Sequence, residues 1–244
     1  MTPLLGILAV VGAVAFAWGI RGADAARVWS IYLVNVVFWS GLAATGPAIA
    51  GMMQLTEARW SPSVRRIALT TAGFLPVTFA LLVILAFGRT ALYLWVTTPI
   101  PVKEAWLNTP FFWARTLILA GLLAVVAFVF ASASFQEPVP AQAERARARR
   151  NRLAVILLFL WVITLSLWGF DLIMSLDPHW YSGLFGGYVV VSSLYTGFAL
   201  LSSWPSAPTR AGSPPSRPGR CRTWPSSSSA CASCGCTSSG RSTS

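Results

Sequence analysis

Two carboxylates and the only histidine of the chain fall within one short stretch, FDLIMSLDPHWYS, residues 170–182. Asp171 follows a run from 153 to 169 that contains no charged residue, and Asp177 and His179 come next in the same stretch. Carboxylates and imidazoles are the side chains that exchange protons most readily near neutral pH. The stretch therefore predicts proton transfer, or contact with a polar ligand, where an apolar segment ends.

Asp171 has two interpretations. A charged side chain at the centre of a membrane helix costs roughly 2.5–3.5 kcal/mol, and less toward the interface. Such a group persists where it faces a protein interior, a water-filled cavity or a cation, which favours a proton relay or a ligand contact. The alternative is an interfacial carboxylate that hydrogen bonds to nearby backbone.

The residues that follow also have structural interpretations. Asp177-Pro178 is typical of a turn or a helix start, where an aspartate caps exposed amides and proline occupies the first helical position. His179 would pass protons near neutral pH, or would simply hydrogen bond at the interface. Trp180 and Tyr181 are typical of the aromatic belt at a membrane surface.

The elements that must position these residues are apolar. The chain of 244 residues is 55% hydrophobic and 10% charged, against roughly 25% charged in soluble domains. Apolar runs of about 20 residues span a bilayer, and in lipid such segments must be helical. The sequence predicts an all-α, polytopic transmembrane bundle of about six spans, the first of them retained rather than cleaved: Leu4–Ile20, Ile31–Met53, Ala68–Phe87, Thr116–Ser134, Leu153–Ile173 and Leu184–Trp204. Pro76 predicts a kink in the third span.

The basic residues predict the orientation. Eight arginines fall in the loops between spans two and three and between spans four and five: Arg59, Arg65, Arg66, Arg145, Arg147, Arg149, Arg150 and Arg152. Five basic residues fall on the other side: Arg21, Arg27, Arg89, Lys103 and Arg115. The positive-inside rule then places the N-terminus in the cytoplasm and residues 170–182 outside. We interpret the block at 145–152 as a solvated topogenic loop, with a lipid or partner site as the alternative.

The composition changes sharply after residue 204. Residues 1–204 form the predicted membrane domain, and residues 205–244 form a Ser-, Pro-, Arg- and Cys-rich tail that is too polar to fold alone. Three cysteines of the tail, Cys231, Cys234 and Cys236, lack a nearby histidine or a second spaced pair, so we assign no metal site. GC-rich DNA encodes such residues when a Leu- and Ala-rich message is read out of frame, so a shifted reading frame is our hypothesis for the tail.

The chain lacks the ligands for an intramembrane redox centre. A bis-histidine haem needs two imidazoles and the chain has one, while all four cysteines lie in the tail. We expect no directly bound cofactor. The net charge of +11 includes five tail arginines, and the remaining excess suits membrane topology rather than nucleic acid.

Two further stretches carry charge beside aromatic residues. KEAWLNTPFFWAR, residues 103–115, is typical of an amphipathic interfacial segment that leads into span four. ARWSPSVRRIA, residues 58–68, places Arg65 and Arg66 before a span, and topology alone accounts for them.

These two stretches and FDLIMSLDPHWYSGLFGGYVVVSS resemble, in order and spacing, the second quinone-binding-type membrane subunit of bacterial alternative complex III. That complex is a quinol:cytochrome c (or other acceptor) oxidoreductase, and its membrane subunits are similar to polysulfide-reductase (NrfD-like) proteins. The resemblance covers roughly residues 27–204. It implies a bundle of about ten spans in the bacterial inner membrane, and the pattern is lost after Leu201.

The resemblance also implies partners and roles. The partners would be a sister NrfD-like membrane subunit and periplasmic subunits with iron–sulfur clusters and haem c, with quinol as the substrate. Asp171 would transfer protons, followed by His179 and Asp177, and Arg115 would be an electrostatic partner. Arg115, Trp180 and Tyr181 would lie near the quinone.

Four functions remain open from the sequence. The first is a membrane subunit of a quinol-oxidising complex that handles quinol or protons without its own redox centre. The second is a structural anchor that does no chemistry. A secondary transporter is the third, although we find no internal repeat of the kind such folds show. A non-functional product of a shifted frame is the fourth.

Overall fold

The computed structural model describes residues 2–22, 24–58, 62–97, 103, 106–136, 142–177 and 179–203, and every regular element in them is helical. The α-helices are α1 (Thr2–Gly19), α2 (Ala25–Leu55), α3 (Pro62–Thr70), α4 (Leu75–Phe87), α5 (Arg89–Leu92), α6 (Leu94–Thr97), α7 (Thr109–Phe135), α8 (Ala143–Trp168) and α9 (Phe185–Ser203). The all-α prediction is confirmed. The predicted tail, residues 205–244, lies outside the described residues.

Five helical segments within the described residues are long and apolar enough to cross a membrane. They are Ala25–Leu55, Val64–Phe87, Thr109–Phe135, Ala143–Leu176 and Phe185–Ser203, and they coincide with the last five predicted spans. The first predicted span forms α1, in which Ala9–Gly19 is a shorter apolar helix. A crossing by α1 therefore stays a prediction.

Helices α2 and α3 begin six residues earlier than predicted, at Ala25 and Pro62, and α7 and α8 begin earlier still. Helix α7 begins at Thr109 rather than Thr116, after an extended Asn108 and with a proline in its first turn, where the fixed φ of proline suits a helix. Helix α8 begins at Ala143 rather than Leu153, so the arginine block is helical and the prediction of a loop there is wrong. Alanine, glutamate and arginine are strong helix formers, and they extend α8 beyond its apolar part.

The third span is interrupted where proline predicted a kink. Helix α3 passes into a 3-10 turn, Thr71–Phe74, and α4 begins directly after it with Pro76 in its first turn. Proline cannot donate the backbone hydrogen bond that a continuous α-helix requires, which accounts for the break.

Helix α2 occupies the middle of the bundle and packs against α3, α4, α8 and α9. Its segment from Ser40 to Gly51 is entirely buried. At Gly46 an added Cβ would lie 2.0 Å from Thr71 Oγ1 and 2.6 Å from the backbone oxygen of Ala68. Only glycine therefore permits this approach of α2 to the α3 segment, and the contact positions the interrupted third span.

The described contacts define two ends of the bundle. At one end Glu57 pairs with Arg147, and the Gln54 amide donates to Asn151 Oδ1 at 2.8 Å. At the other end Tyr93 contacts the backbone of Leu172. The segments between spans two and three and between four and five thus share one end, as the sequence predicted. The cytoplasmic assignment of that end stays a prediction.

The outward faces of the long helices carry large apolar side chains, as expected for a surface in contact with lipid or partner helices. Examples are Val34, Phe38, Val125, Phe128, Phe159, Val191 and Tyr195.

Candidate functional site

The candidate site centres on an ion pair between α7 and the segment that follows α8. Arg115 lies in the second turn of α7, and its Nε donates to Asp171 Oδ2 at 2.6 Å while its Nη2 donates to Asp171 Oδ1 at 2.5 Å. The Asp171 side chain is 1% exposed and that of Arg115 is 10% exposed. The two parallel hydrogen bonds hold both planar groups in one orientation. The carboxylate thus faces the protein interior and a cation, the condition under which a charge at a membrane segment persists.

Asp171 lies in a break of regular helix geometry. The α-helical part of α8 ends at Trp168. A π-helical turn, Gly169–Ile173, follows it directly, and a 3-10 turn, Met174–Leu176, comes next. Such π turns are rare and occur frequently at functional sites, because the extra residue redirects side chains and leaves backbone groups unpaired. Here the hydroxyl of Ser175 donates to the backbone carbonyl of Asp171.

The guanidinium of Arg115 is held by more than the carboxylate. Its Nη1 donates to the backbone oxygen of Trp106 at 3.2 Å. Its Cζ also lies 4.0 Å from the ring centre of Trp106 and 4.9 Å from that of Phe111. Cation–π contacts at these distances stabilise a guanidinium while one of its faces is covered. The arginine is therefore fixed on three sides.

Tyr93, between α5 and α6, anchors the same region. Its side chain is 0% exposed, and its hydroxyl donates to the backbone oxygen of Leu172 at 3.2 Å. Burial, together with the nearby charge of Asp171, raises the pKa of Tyr93 above its ordinary value. The phenol is thus held as a neutral donor beside the π turn.

A small cavity of about 240 Å³ adjoins the ion pair. It is lined by Lys103, Trp106, Leu107, Phe170, Met174, Ser175 and Trp180. Neither Arg115 nor Asp171 lines the cavity, but two lining residues contact them: the backbone oxygen of Trp106 accepts from Arg115, and the Ser175 hydroxyl donates to the backbone carbonyl of Asp171. The volume exceeds the roughly 150 Å³ of apolar cavities that admit benzene. It therefore has room for one substituted ring.

A larger apolar cavity, about 570 Å³, lies on another side of the same segment, between α2 and α9. Ile173 and Leu176 line it from the π and 3-10 turns, and Tyr188, Ser192 and Thr196 bring hydroxyls from α9. The segment that carries Asp171 thus has a cavity on each of two sides.

The structure separates the other predicted residues from the pair. Asp177 is exposed, and its Oδ1 accepts a hydrogen bond from the backbone amide of His179 at 3.1 Å. This contact caps a turn, since α9 begins only at Phe185. Among the described residues no hydrogen bond or ion pair joins His179 to Arg115 or Asp171.

The two predicted aromatic residues differ in their positions. Trp180 lines the small cavity, and its ring lies edge-on to Phe185 with 5.4 Å between ring centres. Tyr181 is 78% exposed and does not line that cavity. Trp180 is therefore placed to contact a ligand beside the ion pair, whereas Tyr181 faces outward.

Sequence reasoning did not identify Tyr93 and Ser175 as parts of the site. Ser175 had a usable signal, because it follows Asp171 by four residues, and a serine at that spacing can bond to the carbonyl one helical turn before it. Tyr93 had none, because it lies in a connection between spans and reaches the site only through tertiary packing.

In chemical terms the site offers one buried carboxylate, a fixed guanidinium and an aromatic cavity beside them. Such a set can accept a proton or a hydrogen bond from the polar end of a ring-shaped ligand. Within the described residues no group of three or more His, Cys, Asp or Glu side chains is placed to hold a metal ion.

No protein-family model matches the chain, and no curated protein matches it significantly.

Proposed function

We propose that this chain is an integral membrane subunit of a respiratory quinol:acceptor oxidoreductase, with cytochrome c as an acceptor, that contributes to quinol handling or proton translocation. The observation that carries the proposal is the buried Arg115–Asp171 pair beside an aromatic cavity. The resemblance of residues 58–68, 103–115 and 170–193 to alternative complex III membrane subunits supports the same function.

The chemistry follows from the positions of these groups. Oxidation of a quinol releases two electrons and two protons, and the chain has no ligands for a redox centre in its membrane part. Electrons would therefore pass to iron–sulfur clusters and haem c in partner subunits. A quinol hydroxyl in the cavity near Trp106 and Trp180 would give its proton toward Asp171, and Arg115 would balance the carboxylate charge between turnovers.

The proposal includes an assembly. We place the chain in the bacterial inner membrane, with a cytoplasmic N-terminus, beside a sister NrfD-like membrane subunit and periplasmic iron–sulfur and cytochrome c subunits. The exposed apolar faces of α7 and α9, with side chains such as Val125, Phe128 and Val191, offer area for a sister subunit.

One observation favours a second candidate, a structural anchor that performs no chemistry. Arg115 has hydrogen-bond partners at Asp171 and Trp106, and stacking contacts besides, so the pair also serves as a crosslink between α7 and the end of α8. A pair with only this role would stabilise the bundle without contacting quinol.

The experiment that tests the assembly is affinity purification of the tagged chain from its native membranes. We expect co-purified haem c, visible in the α-band of the reduced spectrum, together with quinol-dependent reduction of cytochrome c. A chain that purifies without haem c and without that activity would contradict the proposal. An active complex whose turnover is unaffected by changes at Asp171 would favour the anchor.

A further inference from the structure

The first three turns of α8 carry arginines on one face of the helix. Arg145, Arg149 and Arg152 are spaced by four and three residues, which brings them onto the same side of an α-helix. All three are exposed, and with Ala148 and Leu153 they line a recess of about 400 Å³. The block is thus an ordered surface with three guanidinium groups rather than a flexible loop.

The opposite face of this part of α8 is used for contacts within the bundle. Arg147 pairs with Glu57, and Asn151 accepts a hydrogen bond from Gln54. In the part of the chain that the structure describes, no ion pair engages Arg145, Arg149 or Arg152. The three arginines therefore present their charge outward.

The same face becomes apolar further along α8. Ile156, Phe159 and Ile163 continue the spacing of four and three residues and are exposed. At 1.5 Å per residue, the charged part from Arg145 to Arg152 and the apolar part from Ile156 to Ile163 each extend about 10 Å. One stripe thus combines three positive charges at the membrane surface with an apolar track into the bilayer.

We propose that this stripe, residues 145, 149, 152, 156, 159 and 163, is a binding site for an anionic glycerophospholipid. The guanidinium groups match a phosphodiester in charge and in bidentate hydrogen-bond geometry. The apolar track matches an acyl chain and would serve neither free phosphate nor an acidic soluble partner. A topogenic role requires only net positive charge, so it does not account for the recess that three of the five arginines share.

The nearest acid does not neutralise the recess. Glu144 precedes Arg145, but adjacent residues on a helix point about 100° apart. It does not line the recess, and it forms no ion pair with the three arginines among the described residues. The surface is therefore complementary to a negative headgroup.

The test is native mass spectrometry of the full chain in detergent, titrated with dioleoylphosphatidylglycerol or dioleoylphosphatidylcholine. Each arginine near an anionic headgroup contributes roughly fivefold to affinity. We expect the wild-type chain to prefer phosphatidylglycerol, and R145Q/R149Q/R152Q to lose on the order of a hundredfold of that affinity. The matched control is R147Q, which removes one charge from the opposite face and should change the affinity by less than about twofold.

Two further experiments identify the cause of the preference for phosphatidylglycerol. The charge-retaining variant R145K/R149K/R152K should keep most of the preference for phosphatidylglycerol, and its helix content by circular dichroism should equal that of the glutamine variant. Inorganic phosphate at millimolar concentration should not displace the lipid. Equal binding of both lipids, an equal loss in R147Q, or displacement by phosphate would overturn the proposal.

Discussion

Arg115 on α7 and Asp171 in the π turn after α8 are joined by two parallel hydrogen bonds of 2.6 and 2.5 Å. This contact links residues that are 56 positions apart in the chain. It lies at the end of the bundle opposite to the arginine block: at 1.5 Å per residue, Arg152 and Asp171 are about 28 Å apart along the helix axis. That separation approaches the hydrocarbon thickness of a bilayer.

The first prediction concerns the strength of the pair. Asp171→Asn leaves the guanidinium of Arg115 without its counter-charge in a place that is nine-tenths buried. Removing one partner of a buried ion pair costs about 3–5 kcal/mol, because the other charge stays buried and uncompensated. We expect the free energy of unfolding in detergent to fall by about that amount, measured by denaturation with sodium dodecyl sulfate.

A double variant distinguishes the loss of the charge interaction from a general loss of packing. R115Q/D171N removes both charges and leaves no unpaired buried charge, so it should lose less stability than D171N alone. If the double variant loses the sum of the two single changes, the two residues are not coupled and the interpretation is wrong. Glu57→Gln, at an exposed pair, should change stability by about 1 kcal/mol or less.

The second prediction concerns the guanidinium itself. Arg115→Lys keeps the positive charge but loses one of the two contacts to Asp171 and the stacking on Trp106. We expect a loss of about 1–2 kcal/mol in unfolding free energy, smaller than that of Arg115→Gln. A lysine variant as unstable as the glutamine variant would show that charge is not the main contribution.

The third prediction concerns Tyr93. Tyr93→Phe removes the donor to the buried carbonyl of Leu172, which should cost about 1–3 kcal/mol below pH 10. A tyrosine in the unfolded chain ionises near pH 10, whereas the folded pKa of Tyr93 is raised by burial and by Asp171. The folded state therefore binds more protons above pH 10, and the stability contributed by the phenol is lost as pH rises.

The measurement for Tyr93 is the melting temperature of the wild-type chain and of Tyr93→Phe between pH 8 and pH 11. The melting temperature of the wild-type chain should exceed that of Tyr93→Phe by a constant amount up to about pH 10, and this excess should shrink above pH 10. A difference that is unchanged or grows above pH 10 would contradict a buried, neutral phenol.

The fourth prediction concerns the close approach of α2 to the α3 segment. A Cβ at Gly46 would overlap Thr71 Oγ1 and the backbone oxygen of Ala68, so Gly46→Ala should cost about 1–3 kcal/mol. Gly12 in α1 is the matched control, because an added Cβ there meets nothing within 4 Å. Gly12→Ala should leave the unfolding free energy unchanged or slightly raised; equal losses at both positions would contradict the packing argument.

The sequence predicted the helical class and the positions of five apolar spans because hydropathy reports burial in lipid directly. It placed the starts of α2, α3, α7 and α8 too late, because a helix does not stop where hydrophobicity stops. The residues of α8 before Leu153 are good helix formers that extend beyond the membrane.

The candidate site was only partly predictable. An acid at the end of an uncharged run singled out Asp171, and the family resemblance implied Arg115 as its partner. The π turn and Tyr93 were not predictable, because neither has a local sequence pattern and both depend on packing between distant segments. The placement of Asp177 in a surface turn follows its local capping pattern, so local signals predicted local structure.

Quinol oxidation by the assembled complex that carries Asp171→Asn, compared with Glu57→Gln as the control, tests the account most directly. We predict that the asparagine variant, at equal haem c content, retains less than about a tenth of the quinol:cytochrome c activity, because a positioned proton acceptor contributes at least that factor. The control should retain wild-type activity. Unchanged turnover in Asp171→Asn would contradict a role in quinol chemistry and leave the pair as a crosslink between helices.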